Sequence, residues 1–255
     1  MNTKHTKINI LNPKITIGWL YPELMSTYGD RGNIIVLRRI AEDHNINVEI
    51  LRIDQDTDNT VLKTCDMLFM GGAQDLQQEI VNRDLIEKKG TTLTKMVEDG
   101  IPGLYICGAY QFLGNYYKDA YGKEIPGLGV FDMSTESDPK KERLIGNIVV
   151  LRKNKTYVGF ENHGGRTYLK DNTMAFAKVI HGYGNNGEDK TEGIHYKNSI
   201  GTYMHGPILP SNPELAIELL EIAIENKYDK KIKLAFNDVL AKKAKEVLVS
   251  RLGIK

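Results

Sequence analysis

The sequence has few cysteines, no long apolar runs and almost no net charge. Its 255 residues include two cysteines, Cys65 and Cys107, which excludes a disulfide framework and fits a reducing compartment. No segment approaches the roughly 20 apolar residues of a membrane helix, and the polar segment 1–13 lacks the apolar core of a signal peptide. Lys and Arg total 34 against 33 Asp and Glu, which gives no support for nucleic-acid binding. We therefore expect a cytoplasmic protein.

The first half of the chain alternates between short apolar runs and segments with helical spacing of apolar residues. The apolar runs are 15–20, 48–53, 67–70 and 103–106. This alternation predicts a mostly parallel sheet with helices on both faces. In such sheets, ligands bind at the carboxyl ends of the strands, so we expect the functional residues there.

The second half has strand-like runs without helices between them. These runs are 128–131, 147–151, 156–160, 177–180, 193–196 and 200–204. They predict a partly antiparallel region that continues the same sheet. Two helices follow, starting near Asn212 and Asn237. We predict one compact α/β unit, composed of an N-terminal extension 1–14, a main domain 15–225 and a C-terminal helical segment 226–255.

The most informative segment is 107–111, with sequence CGAYQ, between the apolar run 103–106 and a helix predicted over 111–117. A strand that turns sharply into a helix lifts one side chain out of the backbone, and here that side chain is the thiol of Cys107. A helix N-terminus favours the thiolate. The alternative for Cys107 is a buried small apolar residue, which is our interpretation of Cys65.

A nucleophilic thiol needs a base, and position favours His205 over His163. His205 follows the last predicted strand, at the same edge of the sheet as Cys107. An acyl transfer also needs donors for the developing oxyanion. The backbone N–H groups of Gly72, after the neighbouring strand, and of Gly108 are the candidates.

The chain resembles the class I, triad-type glutamine amidotransferases in three segments. These are 71–72 (GG), 107–111 (CGAYQ) and 203–207 (YMHGP). Within that class it is similar to the cobyric-acid-synthase-like branch, and more closely to the glutaminase subunits of lipid II isoglutaminyl synthases. The closer similarity lies in the segments 159–167, 182–186 and 192–198. The resemblance spans roughly residues 15 to 225 and implies a flavodoxin-like domain with a mostly parallel central sheet, flanking helices and an antiparallel extension.

The resemblance also implies roles for single residues. Cys107 would attack the side-chain amide of L-glutamine, and His205 would protonate the leaving ammonia. Arg143 matches the arginine that binds glutamine, and its guanidinium can pair two carboxylate oxygens. Gln111 and His163 are expected among the substrate-binding residues.

Two positions depart from the pattern of the class. Ala109 stands where many members have glycine, which a turn with negative φ tolerates. Pro207 stands where many members have the glutamate that orients the histidine. Either a Cys–His dyad suffices, or Glu161, Asp189 or a partner protein supplies the acid. We hypothesise the partner, because ammonia-producing subunits commonly become active only in complex.

The resemblance implies a partner, a Mur-ligase-like synthetase subunit of the MurT type. That partner would hold ATP and Mg²⁺ and amidate the α-carboxylate of D-glutamate in the lipid II stem peptide, near the inner face of the membrane. The chain itself has no Gly-x-x-x-x-Gly-Lys-Ser/Thr loop, so we expect no cofactor and no metal in it. Three alternatives stay open: an amidotransferase for another acceptor such as a corrinoid carboxylate, a non-catalytic scaffold, and a stand-alone cysteine peptidase.

Overall fold

A computed structural model describes residues 11–73, 75–236 and 238–254. In chain order, its strands are β1 (Lys14–Leu20), β2 (Asn47–Ile53), β3 (Met67–Met70), β4 (Gly103–Ile106), β5 (Tyr116–Lys118), β6 (Glu124–Pro126), β7 (Met133–Ser137), β8 (Leu144–Arg152), β9 (Lys155–His163), β10 (Gly165–Leu169), β11 (Ala177–His181), β12 (Thr191–Glu192), β13 (Ile194–Tyr196) and β14 (Ser199–Thr202). Its α-helices are α1 (Arg31–Asp43), α2 (Asn59–Leu62), α3 (Asp75–Asp84), α4 (Gly90–Glu98), α5 (Gly108–Phe112), α6 (Ile208–Ser211), α7 (Pro213–Tyr228) and α8 (Val239–Arg251). A π-helical turn, Leu85–Lys89, joins α3 to α4.

The central sheet has six strands in the order β2-β1-β3-β4-β14-β13. All neighbours pair in parallel except β13, which runs antiparallel to β14 at the edge. Alternate side chains of β3 enter two separate cores. Met67 and Phe69 face a core shared with α1 and α7, and Leu68 and Met70 face a core shared with α3 and α4. Burial of each such side chain contributes about 1.5–3 kcal/mol to the stability of the fold. A parallel sheet with helices packed on both faces confirms the predicted α/β fold.

The prediction that the second half continues the same sheet is wrong, except for β13 and β14. The other strands form two separate four-stranded sheets, β10-β7-β5-β6 and β12-β11-β8-β9. Lys153 and Asn154 both have positive φ, the conformation of a tight two-residue hairpin turn. This turn closes β8 and β9 into a long antiparallel hairpin outside the central sheet. An isolated bridge between Phe160 and His205 joins that hairpin to the chain leaving β14.

The helix predicted over 111–117 and the strand predicted over 128–131 are also wrong. The helix after Cys107 is the short α5, and residues 116–118 form a strand instead. The N–H groups of Leu128 and Phe131 donate to the carbonyls of Phe112 and Leu113 at the end of α5, each at 2.8 Å. These N–H groups therefore pair with the free carbonyls at the end of a helix and do not enter a β-ladder.

The C-terminal segment packs on the main domain. Leu234 is buried, and the N–H of Ala235 donates to Nε2 of His44 at 3.1 Å. Helix α8 begins after Asp238, whose carboxylate accepts the N–H of Ala241, whereas the predicted cap Asn237 lies outside the described residues. Most of the predicted extension 1–14 lies outside them as well, and the domain boundaries stay predictions. None of the helices in the described ranges is long and apolar enough to cross a membrane.

Candidate active site

Three residues that follow neighbouring strands meet at one edge of the central sheet. Strands β3, β4 and β14 lie side by side, and Gly72, Cys107 and His205 come after them. A Cβ placed on Gly72 would lie 2.9 Å from Cε1 of His205 and 3.3 Å from Cβ of Cys107. The structure therefore brings the predicted nucleophile and the predicted base together around a glycine that leaves them room.

The backbone at Cys107 forms a sharp turn between β4 and α5. Its φ of 52° and ψ of −106° lie outside the regions that L-residues prefer, a strain of about 1–3 kcal/mol. Two bonds hold the turn: the N–H of Cys107 donates to the carbonyl of Thr202 at 2.8 Å, and its carbonyl accepts the N–H of Gln111 at 3.0 Å. Ala109 lies within α5 and is not among the residues with positive φ, so alanine fits here as expected.

The imidazole of His205 is buried and lies beside a carboxylate. Its Nδ1 is 3.5 Å from Oδ1 of Asp30, and neither ring nitrogen has a hydrogen-bond partner among the described residues. Burial opposes the charged ring, but the interactions with Asp30 and Cys107 outweigh burial and raise the pKa of His205 to about 10. The shift favours a charged imidazolium at the position opposite Cys107.

Asp30 is the residue that sequence reasoning missed. It directly precedes α1, is fully buried, and accepts the N–H of Gly72 on Oδ2 at 2.7 Å. The two internal carboxylates considered from the sequence lie elsewhere. Glu161 accepts the N–H groups of Tyr183 and Gly184, and Asp189 accepts the N–H and hydroxyl of Thr191. An acidic residue in the loop after β1, at the edge that carries Cys107, was the signal available in the sequence.

Arg143 lies at the outer rim of this edge. Its Nε and Nη2 donate to the side-chain oxygen and the carbonyl of Asn162, each at 3.0 Å. The amide of Asn162 in turn donates to the hydroxyl of Tyr28 at 2.8 Å. The ring of Tyr28 packs edge-on against His205, with centroids 4.9 Å apart. The exposed guanidinium is therefore linked to His205 through two side chains, those of Asn162 and Tyr28.

Gln111 and His163 lie in the buried layer behind the turn. Nε2 of Gln111 donates to the hydroxyl of Tyr203 at 3.1 Å, and the ring of His163 stacks on Tyr203 with centroids 3.6 Å apart. Burial lowers the pKa of His163, although contacts with Glu161 and Gly165 oppose this shift. The side chains of Gln111 and His163 both contact Tyr203, and the role of either in binding substrate stays a prediction.

Comparison with known proteins places this arrangement in a family. Residues 16–213 match the model of the CobB/CobQ-like glutamine amidotransferase domain. The chain belongs to this family. The prediction of a glutamine amidotransferase is thereby confirmed.

Curated relatives match this amidotransferase along most of its length. It is 48% identical over 215 residues to the lipid II isoglutaminyl synthase (glutamine-hydrolyzing) subunit GatD of Staphylococcus aureus. The aligned residues cover 84% of this chain and 86% of that protein. The GatD of Streptococcus pneumoniae is 42% identical over 238 residues, with 91% and 90% covered. Among solved structures, PurLQS from Thermotoga maritima has a similar fold, with a TM-score of 0.56, 13% identity, and coverage of 85% of this chain and 99% of that one.

The two predicted oxyanion donors of the amidotransferase differ in their availability. The N–H of Gly108 opens α5 directly after Cys107, at the positive end of the helix. The N–H of Gly72 is engaged with Asp30, so it can reach an oxyanion only by giving up that bond. The role of Gly72 as a donor stays a prediction, and its observed contact is with Asp30.

Proposed function

We propose that the chain is the glutaminase subunit of a lipid II isoglutaminyl synthase. It hydrolyses L-glutamine to glutamate and ammonia through a Cys107 thioester and delivers the ammonia to a synthetase partner. The observation that carries the proposal is the packing of Cys107 and His205 around Gly72, in a chain 48% identical to a GatD subunit over 84% of its length. That geometry supports the chemistry, and the similarity supports the pathway.

In the first half of the reaction, Sγ of Cys107 attacks the side-chain amide carbon of glutamine. The amide oxygen acquires negative charge, which the N–H of Gly108 stabilises from the start of α5. The imidazolium of His205 gives its proton to the amide nitrogen, and the carbon–nitrogen bond breaks. Ammonia leaves, and a glutamyl thioester remains on Cys107.

In the second half, water hydrolyses the thioester. The now neutral imidazole of His205 removes a proton from the attacking water, and the carbon–sulfur bond breaks with Cys107 leaving as thiolate. Glutamate is released and His205 is again charged. One glutamine and one water thus give one glutamate and one ammonia.

Arg143 is suited to the α-carboxylate of the substrate. Two of its guanidinium nitrogens are held by Asn162, so the group is oriented before the substrate arrives. An oriented guanidinium can pair a carboxylate with good geometry, whereas a lysine ammonium presents only a point charge. Arg143 would fix the distance between the α-carboxylate and Cys107 and so select glutamine by its length.

The acceptor of the ammonia lies outside this chain. We propose a Mur-ligase-like partner of the MurT type, in which ATP and Mg²⁺ activate the α-carboxylate of D-glutamate in lipid II. Since that substrate is lipid-linked, the complex would work at the inner face of the membrane. A stable interface between the two subunits would also limit the loss of the released ammonia to solvent.

Transfer of labelled nitrogen tests this function. L-glutamine with a ¹⁵N side-chain amide is supplied to the chain together with a Mur-ligase-like partner, ATP, Mg²⁺ and lipid II. We expect ¹⁵N in the D-isoglutamine product with wild type, and none with Cys107→Ala unless ammonium salt is added. Label that appears in a corrinoid acceptor supplied with its own synthetase, and never in lipid II, would contradict the proposed acceptor. Transfer with equal yield by Cys107→Ala would contradict the role of the thiol.

A further inference from the structure

We propose that Arg166 holds Arg143 in place for the α-carboxylate of glutamine and thereby contributes to the specificity of the site. The inference rests on the proposed function, because it takes L-glutamine as the substrate and Arg143 as the residue that binds its carboxylate. Arg166 lies in β10 and acts through the backbone around Arg143. It is therefore a positioning residue and takes no part in the making or breaking of bonds.

Arg166 is a buried cation without a counter-charge. It is 5% exposed, and its guanidinium donates to two backbone carbonyls, those of Gly164 and Glu142. Among the residues that the structure describes, no carboxylate forms an ion pair with it. A buried charge without a partner of opposite sign is costly, and an apolar side chain would fill the same space at lower cost. The cost indicates a role for this guanidinium beyond packing.

The acidic residue directly opposite Arg166 on the neighbouring strand does not pair with it. In the antiparallel register of β10 and β7, Arg166 faces Glu136. Side chains in such opposite positions lie close enough to form an ion pair. Instead, Oε1 of Glu136 accepts the hydroxyl of Tyr116 at 3.1 Å, and the guanidinium binds the two carbonyls. The side chain of Arg166 is thus directed to the backbone beside Arg143.

The two carbonyls belong to the two segments that present Arg143. Glu142 directly precedes it, at the end of the exposed loop 138–143 between β7 and β8. Gly164 lies between β9 and β10, two residues after Asn162, which accepts Nε and Nη2 of Arg143. One buried guanidinium therefore ties the backbone that carries Arg143 to the backbone that orients its side chain.

Gly164 also brings the two arginines close to one point. A Cβ built on Gly164 would lie 3.4 Å from Nη1 of Arg143, and the carbonyl of the same glycine accepts Nη1 of Arg166. Two like charges near one residue repel each other, and a bound carboxylate lowers the energy of both. The arrangement therefore favours a ligand with an anionic group at Arg143 over a neutral one of the same shape.

The first test is Arg166→Met, which keeps much of the length of the side chain and removes its charge and its two bonds. We expect the KM for glutamine hydrolysis by the full chain to rise by about 10-fold, with kcat changed by less than about 3-fold, because the lost interaction acts on a part of the substrate that does not react. Arg166→Lys keeps the charge but lacks the fork that reaches two carbonyls, so it should raise KM by a smaller factor. Combined with Arg143→Lys, Arg166→Met should raise KM by less than the product of the two separate effects, since both act on one carboxylate contact.

Calorimetric binding to Cys107→Ala separates recognition of the carboxylate from the reaction. The ligands are L-glutamine and its α-amide, in which a neutral amide replaces the α-carboxylate. In this background, Arg166→Met should weaken the binding of L-glutamine by about 10-fold and leave the binding of the α-amide unchanged. Equal weakening for both ligands, or no change for L-glutamine, would overturn the role of Arg166.

Arg152→Met is the matched control. Arg152 is also buried, at 6% exposure, but it lies at the far end of β8 from Arg143 and pairs with Glu218 at 2.6 Å. Its removal leaves that carboxylate unpaired, so this variant should lower the melting temperature without a change in KM. If Arg166→Met does not fold, Arg166→Lys takes its place, with a raised KM and an unchanged kcat as the expected result.

The outcomes separate the two proposals. A wild-type KM in both Arg166 variants, or a KM raised equally by Arg152→Met, would overturn the role of Arg166 while leaving the glutaminase intact. A fall in kcat at unchanged KM would also overturn it, because the lost interaction would then act on the reaction and not on the carboxylate. A chain that neither binds nor hydrolyses glutamine, with or without a synthetase partner, would overturn the proposed function itself.

Discussion

The contact between Gly72 and His205 makes Gly72→Ala a sharp perturbation of the candidate site. The added Cβ would lie 2.9 Å from Cε1 of His205, whereas carbon atoms in contact prefer about 3.5–4.0 Å. The imidazole must therefore retreat by roughly 0.6 Å or more. The φ of Gly72 is not positive, so the backbone itself accepts alanine and the effect is confined to the contact.

Displacement of a catalytic group by about 1 Å costs roughly 100-fold in rate, so we expect kcat to fall by about 10- to 100-fold. Overpacking of this kind also costs about 1–3 kcal/mol of stability. The assay is glutamate release at saturating glutamine, together with the melting temperature of each protein. Alkylation of Cys107 by iodoacetamide reports whether the ring still faces the thiol.

Gly18→Ala is the matched control for crowding without a change at the site. Its Cβ would lie 2.7 Å from Sγ of Cys65 and 3.0 Å from Cδ2 of Leu68, inside the core of the same sheet. We expect a lower melting temperature and an unchanged kcat. The reasoning is refuted if Gly72→Ala loses stability as Gly18→Ala does and yet keeps the kcat of wild type.

Three further predictions concern other groups of the site. Arg143→Lys should raise the KM for glutamine by about 10-fold or more with a smaller change in kcat, because lysine lacks the paired donors of a guanidinium. Steady-state kinetics measures KM and kcat separately. Native-state mass spectrometry after iodoacetamide should find Cys107 modified and Cys65 intact, because burial raises the pKa of Cys65 to about 12; equal labelling would contradict this. The pKa of His205 is raised from 6.5 to about 10, so its charge stabilises the folded chain fully below about pH 6.5 and this contribution is lost as the pH rises through about 10. The melting-temperature advantage of wild type over His205→Gln should therefore shrink between about pH 7 and about pH 10.5, and a constant difference would contradict the shift.

The meeting of Gly72, Cys107 and His205 at one edge of the sheet was predictable from the sequence because it depends on local signals. Gly72 follows the short apolar run of β3, Cys107 follows that of β4, and His205 follows that of β14. This order is enough to predict that the three residues lie at one edge of a parallel sheet. The turn at Cys107 was predictable for the same reason, since a small-residue turn between a strand and a helix leaves a signal in consecutive residues.

The rest depends on contacts between residues far apart in the chain. Asp30 lies 42 positions from Gly72, its hydrogen-bond partner, and no local pattern marks that pairing. The separation of the later strands into their own sheets follows from strand pairing, which sequence alone does not specify. The strand wrongly predicted at 128–131 has the apolar composition of a strand, but its N–H groups serve the end of α5.

The most direct measurement is the release of glutamate from L-glutamine by the purified chain, alone and with a Mur-ligase-like partner, for wild type and Cys107→Ala. A cysteine that attacks the amide, with His205 as its acid, predicts release by wild type and none by Cys107→Ala under either condition. Release at the same rate by both proteins, or by neither, would contradict the central claim that Cys107 is the nucleophile of a glutaminase.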